Sequence, residues 1–76
     1  SIKPVVDRLE MTQQTKLRII RVNVYDTVGK LLAAEYRVTN IPTFIFFDNR
    51  SNEIWRSVGQ LDYDQVVSST DAYNPD

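Results

Sequence analysis

The residues Thr39-Asn40-Ile41-Pro42-Thr43 lead straight into the apolar run Phe44-Ile45-Phe46-Phe47, and this junction is the chain's best candidate for a functional site. A proline between a helix and a buried strand removes a backbone donor where pairing is wanted. A cis peptide bond in a tight turn is one local role that would keep a proline there. An ordinary linker with a trans proline is the other. Covalent chemistry has little to work with. The chain has no cysteine, which excludes disulfides, thiolate metal sites and thiol catalysis within it. It has no histidine, the usual general base and the commonest metal ligand. A serine nucleophile would need a lysine in place of histidine, and no spacing here supports one. Asp62, Asp64 and Asp71 are spread around a helix and its end, so they read as a solvated face and a cap. No catalytic residue, metal ligand or cofactor is therefore expected in these residues.

The elements that would position the junction follow from periodicity and turn signals. Ile2, Val5, Val6 and Leu9 recur at helical spacing and predict an amphipathic helix over about residues 2 to 14. Pro4 is tolerated within its first turn. Leu17 to Val24 carries apolar residues on both faces, Leu17 and Ile19 on one and Ile20, Val22 and Val24 on the other. That pattern predicts a strand covered on both sides, as in a parallel or mixed sheet. Asp26 or Thr27 would cap a second helix with Val28, Leu31, Leu32 and Tyr36 facing inward. Gly29 in its first turn costs roughly 1 kcal/mol relative to alanine.

After Pro42 the sequence predicts a strand over Thr43–Phe47, a polar turn over Asp48–Asn52 and a second strand over Glu53–Val58, joined as an antiparallel hairpin. Trp55 reads as a half-buried packing residue on that second strand. Gly59-Gln60 breaks the strand, and Asp62 with Gln65 gives a capping-box-like start to a last helix. Leu61, Val66 and Val67 face in, and from about Ser68 onward the polar residues and Pro75 predict fraying into a tail. Asn49-Arg50-Ser51 matches an N-glycosylation acceptor in a surface turn, a tripeptide common by chance.

Seventy-six residues make at most one small domain. At 42% hydrophobic and 25% charged, the composition is that of a globular chain rather than a disordered one. A net charge of −1 gives no long-range attraction to nucleic acid or anionic lipid. The longest uninterrupted apolar run, Phe44–Phe47, is far too short to span a bilayer, and the residues from Ser1 do not read as a signal peptide.

The order helix, strand, helix, strand, strand, helix resembles the thioredoxin fold without its beginning. The carriers of the likeness are Pro4 in the first helix and the strand-like Arg21-Val22-Asn23-Val24. They are joined by the approach Tyr36-Arg37-Val38-Thr39-Asn40-Ile41-Pro42-Thr43 and by Ser57-Val58-Gly59. The resemblance covers roughly residues 2 to 67. Tyr25, where many members have an acid, and Arg37, where a helix-ending glycine is common, depart from the family pattern.

What the resemblance implies is an α/β domain with a thioredoxin-like mixed sheet flanked by helices, incomplete at the N-terminal side. Residues 1–70 would form this partial domain and residues 71–76 a polar tail. A cis Pro42 would leave the Ile41 backbone free to pair with an extended peptide by strand addition. Ile41, Pro42, Thr43, Val58 and Gly59 would line that substrate groove, with Gly59 admitting a close backbone because it lacks a Cβ. Arg21 would lie where a lysine often stands near a buried acid, the alternative being a solvated arginine.

The first expected function is part of a thiol-disulfide oxidoreductase whose cysteines lie upstream of Ser1, acting on extended peptides or proteins that carry thiols or disulfides. The second is a redox-inactive module for protein binding. No cofactor, no nucleic acid and no direct membrane insertion is expected. Without the cysteine-bearing strand, unpaired edges would border a slot that missing residues or another chain would complete.

Overall fold

Each helix in the chain is started by a residue suited to the task. The computed structural model describes residues 3–74. Helix α1 (Lys3–Thr12) carries Pro4 in its first turn, where a missing N–H has no intrahelical partner to lose. Ile2, the first residue of the expected apolar stripe, lies outside the described residues. Leu9, only 2% exposed, is the buried member of that stripe. The chain leaves α1 through a turn in which Leu17 N–H donates to the Gln13 carbonyl at 2.8 Å.

The strand expected over Leu17–Val24 is not a strand. Leu17 and Ile19 are half-buried as the alternation required, but on the second face Ile20 is 71% and Val22 45% exposed and only Val24 is half-buried. Among the described residues, the backbone from 18 to 22 makes no hydrogen bond to another backbone group. A strand exists by its pairing, and this segment has no partner. It is fastened to α1 instead through its side chains, with the Arg21 guanidinium donating to Asp7 at 3.1 Å and to Glu10.

Helix α2 (Thr27–Glu35) is capped by Asp26, whose carboxylate accepts the Gly29 N–H at 2.6 Å. Its inward face differs from the expected one. Val28 and Leu31 are each 67% exposed. Gly29 is buried, and Leu32 and Ala33 are half-buried. The reason is a close approach: a Cβ on Gly29 would stand 1.7 Å from the Asn23 carbonyl oxygen. Only glycine lets the incoming chain cross the helix here, and that crossing fixes which side of α2 faces in. The helix closes with Val38 N–H donating to the Ala33 carbonyl at 2.8 Å and Arg37 N–H to Ala34 at 3.2 Å. This is a Schellman closure, and its left-handed position is filled by Arg37 at φ 57° rather than by glycine.

The two strands, β1 (Thr43–Phe47) and β2 (Glu53–Val58), form an antiparallel hairpin in the register Thr43↔Val58 to Phe46↔Trp55. The register slips between Phe46 and Phe47, with Phe47 opposite Glu53, which leaves Ile54 as the extra residue of a bulge. Helix α3 (Tyr63–Tyr73) starts at Asp62, which accepts the Asp64 N–H at 3.1 Å. The fraying expected from about Ser68 does not occur. The helix runs on to Tyr73 because Thr70 is fully buried, its hydroxyl donating to the Val66 carbonyl at 2.8 Å. The expected tail thus begins later, and its residues 75–76 lie outside the described part.

The hairpin is held from both faces. On one, Phe46 stacks on Trp55 at 5.5 Å and meets the Tyr73 ring at 6.3 Å, while the Trp55 indole donates to the Ser69 hydroxyl at 2.7 Å. On the other, Tyr36 stands edge-on to Phe47 at 5.4 Å, and Arg56 donates to the Tyr36 carbonyl at 2.9 Å. Helix α1 joins α3 through Tyr63, whose hydroxyl bonds Thr12 at 2.8 Å and whose ring lies 3.9 Å beneath the Arg8 guanidinium. The result is a small mixed α/β structure of three helices and one two-stranded antiparallel sheet. The wider mixed sheet expected from the resemblance is not formed among the described residues.

Two substitutions at α2 should have opposite signs. Gly29→Ala should destabilise by about 2 kcal/mol, because the added Cβ meets backbone that cannot move aside cheaply. Arg37→Gly should stabilise by up to about 1 kcal/mol, because it relieves a left-handed conformation at an exposed position. Urea titrations at constant slope would measure both. Equal and small effects would mean that α2 is not docked through its first turn.

Candidate functional site at the base of the hairpin

The five residues expected to line a groove gather at the open end of the hairpin. Thr43 and Val58 are the first register pair of the ladder. Beyond them Gly59 N–H donates to the Pro42 carbonyl at 2.8 Å, so pairing continues one residue past each strand. The Ile41–Pro42 peptide is cis. Thr43 turns its hydroxyl back to the Asn40 carbonyl, closing the approach to the strand from within. Ile41 and Val58 present apolar side chains to solvent at 55% and 54% exposure. Gly59 has φ 89°, and a Cβ there would meet nothing within 4 Å. The open space beside it is a property of the surface. The need for glycine comes from the backbone angle.

A shallow hollow lined by Ser57, Gln60, Leu61, Asp62 and Gln65 adjoins this corner. Its polar atoms are partly engaged already. Ser57 donates to the Gln60 carbonyl, and Asp62 caps α3. The corner offers the apolar side chains of Ile41 and Val58, backbone groups and a Thr43 hydroxyl already engaged with the Asn40 carbonyl.

The remaining candidates are accounted for by structure. Asp71 pairs with Lys16 at 3.5 Å. Arg21 is held in its charged form by its hydrogen bonds to Glu10 and Asp7, so its partners are acids of α1. Trp55 is half-buried, as expected. Asn49 is exposed in the turn of the hairpin. No group of three or more His, Cys, Asp or Glu able to hold a metal occurs among the described residues. No helix there is long and apolar enough to cross a membrane.

Sequence reasoning read the turn by composition alone and missed the residue that organises it. The Asp48 carboxylate accepts the N–H of Arg50 and of Asn52, each at 2.9 Å, and the Asn52 side-chain amide at 3.1 Å. Ser51 takes φ 65° and donates its N–H to the Asp48 carbonyl at 3.1 Å. An aspartate opening a polar turn is the signal that would have found it. No known sequence family, curated protein or solved structure matches this chain.

Two carboxylates give the hairpin a pH dependence. The Asn52 backbone N–H, followed by the Asn52 side chain, holds Asp48 below the usual carboxylate range. The Arg56 guanidinium does the same for Glu53 through paired bonds of 2.7 Å. Groups with depressed values contribute stability above their unfolded pKa and lose it as pH falls through the folded one. Stability should therefore be flat down to about pH 5 and fall below about pH 4. Asp48→Asn should flatten that fall. Urea unfolding at stepped pH measures it, and a profile unchanged by the substitution would show that the turn does not contribute.

Proposed function

We propose that residues 1–76 are the scaffold and peptide-binding side of a thioredoxin-like domain that handles extended protein segments. Under this reading the thiols that exchange with a substrate disulfide are supplied by residues outside this stretch. The attack would run thiolate to disulfide through a mixed disulfide, while Ile41, Pro42, Thr43, Val58 and Gly59 hold the substrate in line. The observation that carries the reading is the gathering of these residues, distant in sequence, at one exposed corner: the Gly59–Pro42 hydrogen bond of 2.8 Å and the flanking half-exposed Ile41 and Val58. A peptide laid there would find apolar contact on both sides and a glycine where its backbone must approach.

A redox-inactive binding module is the second reading. The absence of cysteine and histidine from these residues favours it. Both readings require the corner to bind. What separates them is whether thiols stand beside it.

The corner itself is testable with no thiol present. Ile41→Ser and Val58→Ser should each weaken binding of a fluorescently labelled, extended apolar peptide by about tenfold, equivalent to about 1.4 kcal/mol of lost contact. Because both side chains are more than half exposed, the folding free energy should change by no more than about 0.5 kcal/mol. Fluorescence anisotropy and urea unfolding on the same variants measure the two quantities. Loss of stability with affinity per folded molecule unchanged would remove these residues from any binding role.

A further inference from the structure

The turn of the hairpin contains the sequence's single Asn-x-Ser/Thr tripeptide, Asn49-Arg50-Ser51, yet its shape does not depend on the tripeptide's polar side chains. The Asp48 carboxylate takes the N–H groups of Arg50 and Asn52 and the Asn52 side-chain amide, and the Asp48 carbonyl takes the Ser51 N–H. Only backbone from the tripeptide enters these bonds. Among the described residues neither the Asn49 amide nor the Ser51 hydroxyl is hydrogen-bonded, and Asn49, Arg50 and Ser51 are all exposed. The other asparagines are committed. Asn23 accepts the Tyr25 N–H, Asn40 donates to Thr39, Asn52 donates to Asp48, and Asn74 has its side-chain oxygen buried.

We propose that Asn49 is a modification site and carries an N-linked oligosaccharide. The tripeptide alone is common by chance, and the fold is a filter that a chance match can fail. A bulky polar group must leave the protein surface without displacing a packed neighbour or a structural hydrogen bond. Asn49 meets both conditions, because the bonds that shape its turn belong to Asp48 and Asn52. The middle residue is arginine, not the proline that the pattern forbids, and the Ser51 hydroxyl supplies the required group two residues on. The donor is an oligosaccharide joined through pyrophosphate to a lipid. The Asn49 amide nitrogen bonds to the anomeric carbon, the carbon–oxygen bond to pyrophosphate breaks with its electron pair, and one amide proton passes to a base of the transferase. No oxidant or reductant is involved.

The position of the glycan follows from the register. Thr43 and Val58 pair at one end of the ladder, and Phe47 and Glu53 at the other, next to the turn. Five residues of strand put roughly 15 Å between the turn and the corner of Ile41 and Val58. A sugar on Asn49 therefore leaves that corner uncovered, and the inference stands independently of the peptide-binding reading. It assigns the hairpin to a compartment in which lipid-linked oligosaccharide is presented to passing chains.

The decisive measurement is mass spectrometry of the protein isolated from its source cells. The peptide containing Asn49 should carry a hexose-containing adduct, and enzymatic release of the glycan should leave aspartate at that position. An Asn49 that is wholly unmodified there overturns the inference. Two variants expressed in the same cells check the assignment. Asn49→Gln removes the acceptor nitrogen from its position, and Ser51→Gly removes the hydroxyl while suiting the left-handed φ of 65°. Each should abolish the mass shift and leave the unfolding midpoint of the sugar-free protein unchanged. A shift that persists in either variant places the sugar elsewhere and also overturns the inference. So does a glycosylated protein that no longer unfolds cooperatively, since the folded turn would then not accommodate the glycan.

Discussion

Everything in this chain depends on keeping two short strands together. A lone two-stranded hairpin is marginal in water, and it needs a helix against its apolar face. Here the stack of Phe46 on Trp55 supplies the surface, and α3 supplies the cover. The Trp55 indole bonded to Ser69 at 2.7 Å fixes the rotation of the stack, so ring packing and polar satisfaction point the same way. Thr70, fully buried one residue on, satisfies its own hydroxyl within α3 and needs nothing from the sheet. The helix can therefore lie close against the strands. With the sheet fixed, the Pro42–Gly59 bond and the corner at its open end follow.

The second face is held more loosely. Tyr36 and Arg56 attach the end of α2 to the hairpin, and the Gly29–Asn23 crossing attaches its beginning to the segment before it. Between those points the helix exposes Val28 and Leu31, and the preceding segment exposes Ile20 and Val22. A chain of this size buries a limited fraction of its surface. It has used its deepest burial on the α1–α3–hairpin side, around Leu9, Phe46 and Val66. The polar fastenings on the exposed side, Arg21 to Asp7 and Glu10, are solvent-exposed pairs of the kind that contribute little to stability.

The local signals in the sequence were read correctly where a single residue carries the information. Asp62 as a helix start, Asp26 as one of the two caps offered for the second helix, the hairpin with its polar turn and the half-buried Trp55 all follow from chemistry within a few positions. What failed needed long-range information. Leu17–Val24 has the composition of a strand, but strand formation is decided by a partner, and none is present among the described residues. The inward face of α2 was read from its apolar residues, whereas the close approach at Gly29 decides it, and glycine carries no periodic signal. The length of α3 was underestimated because Ser68, Ser69, Thr70 and Asp71 look like a tail until the side chains of Ser69 and Thr70 find their bonds inward.

The five candidate residues were grouped through the family resemblance; turn chemistry marked only where the two halves begin and end, a proline before one strand and a glycine after the other. The strength of the site was not legible. The corner presents two half-exposed aliphatic side chains and a few backbone groups, and ordering a flexible peptide offsets much of what such contacts give. Two half-exposed aliphatic contacts of this kind, with no further bond, correspond at best to roughly micromolar to millimolar affinity.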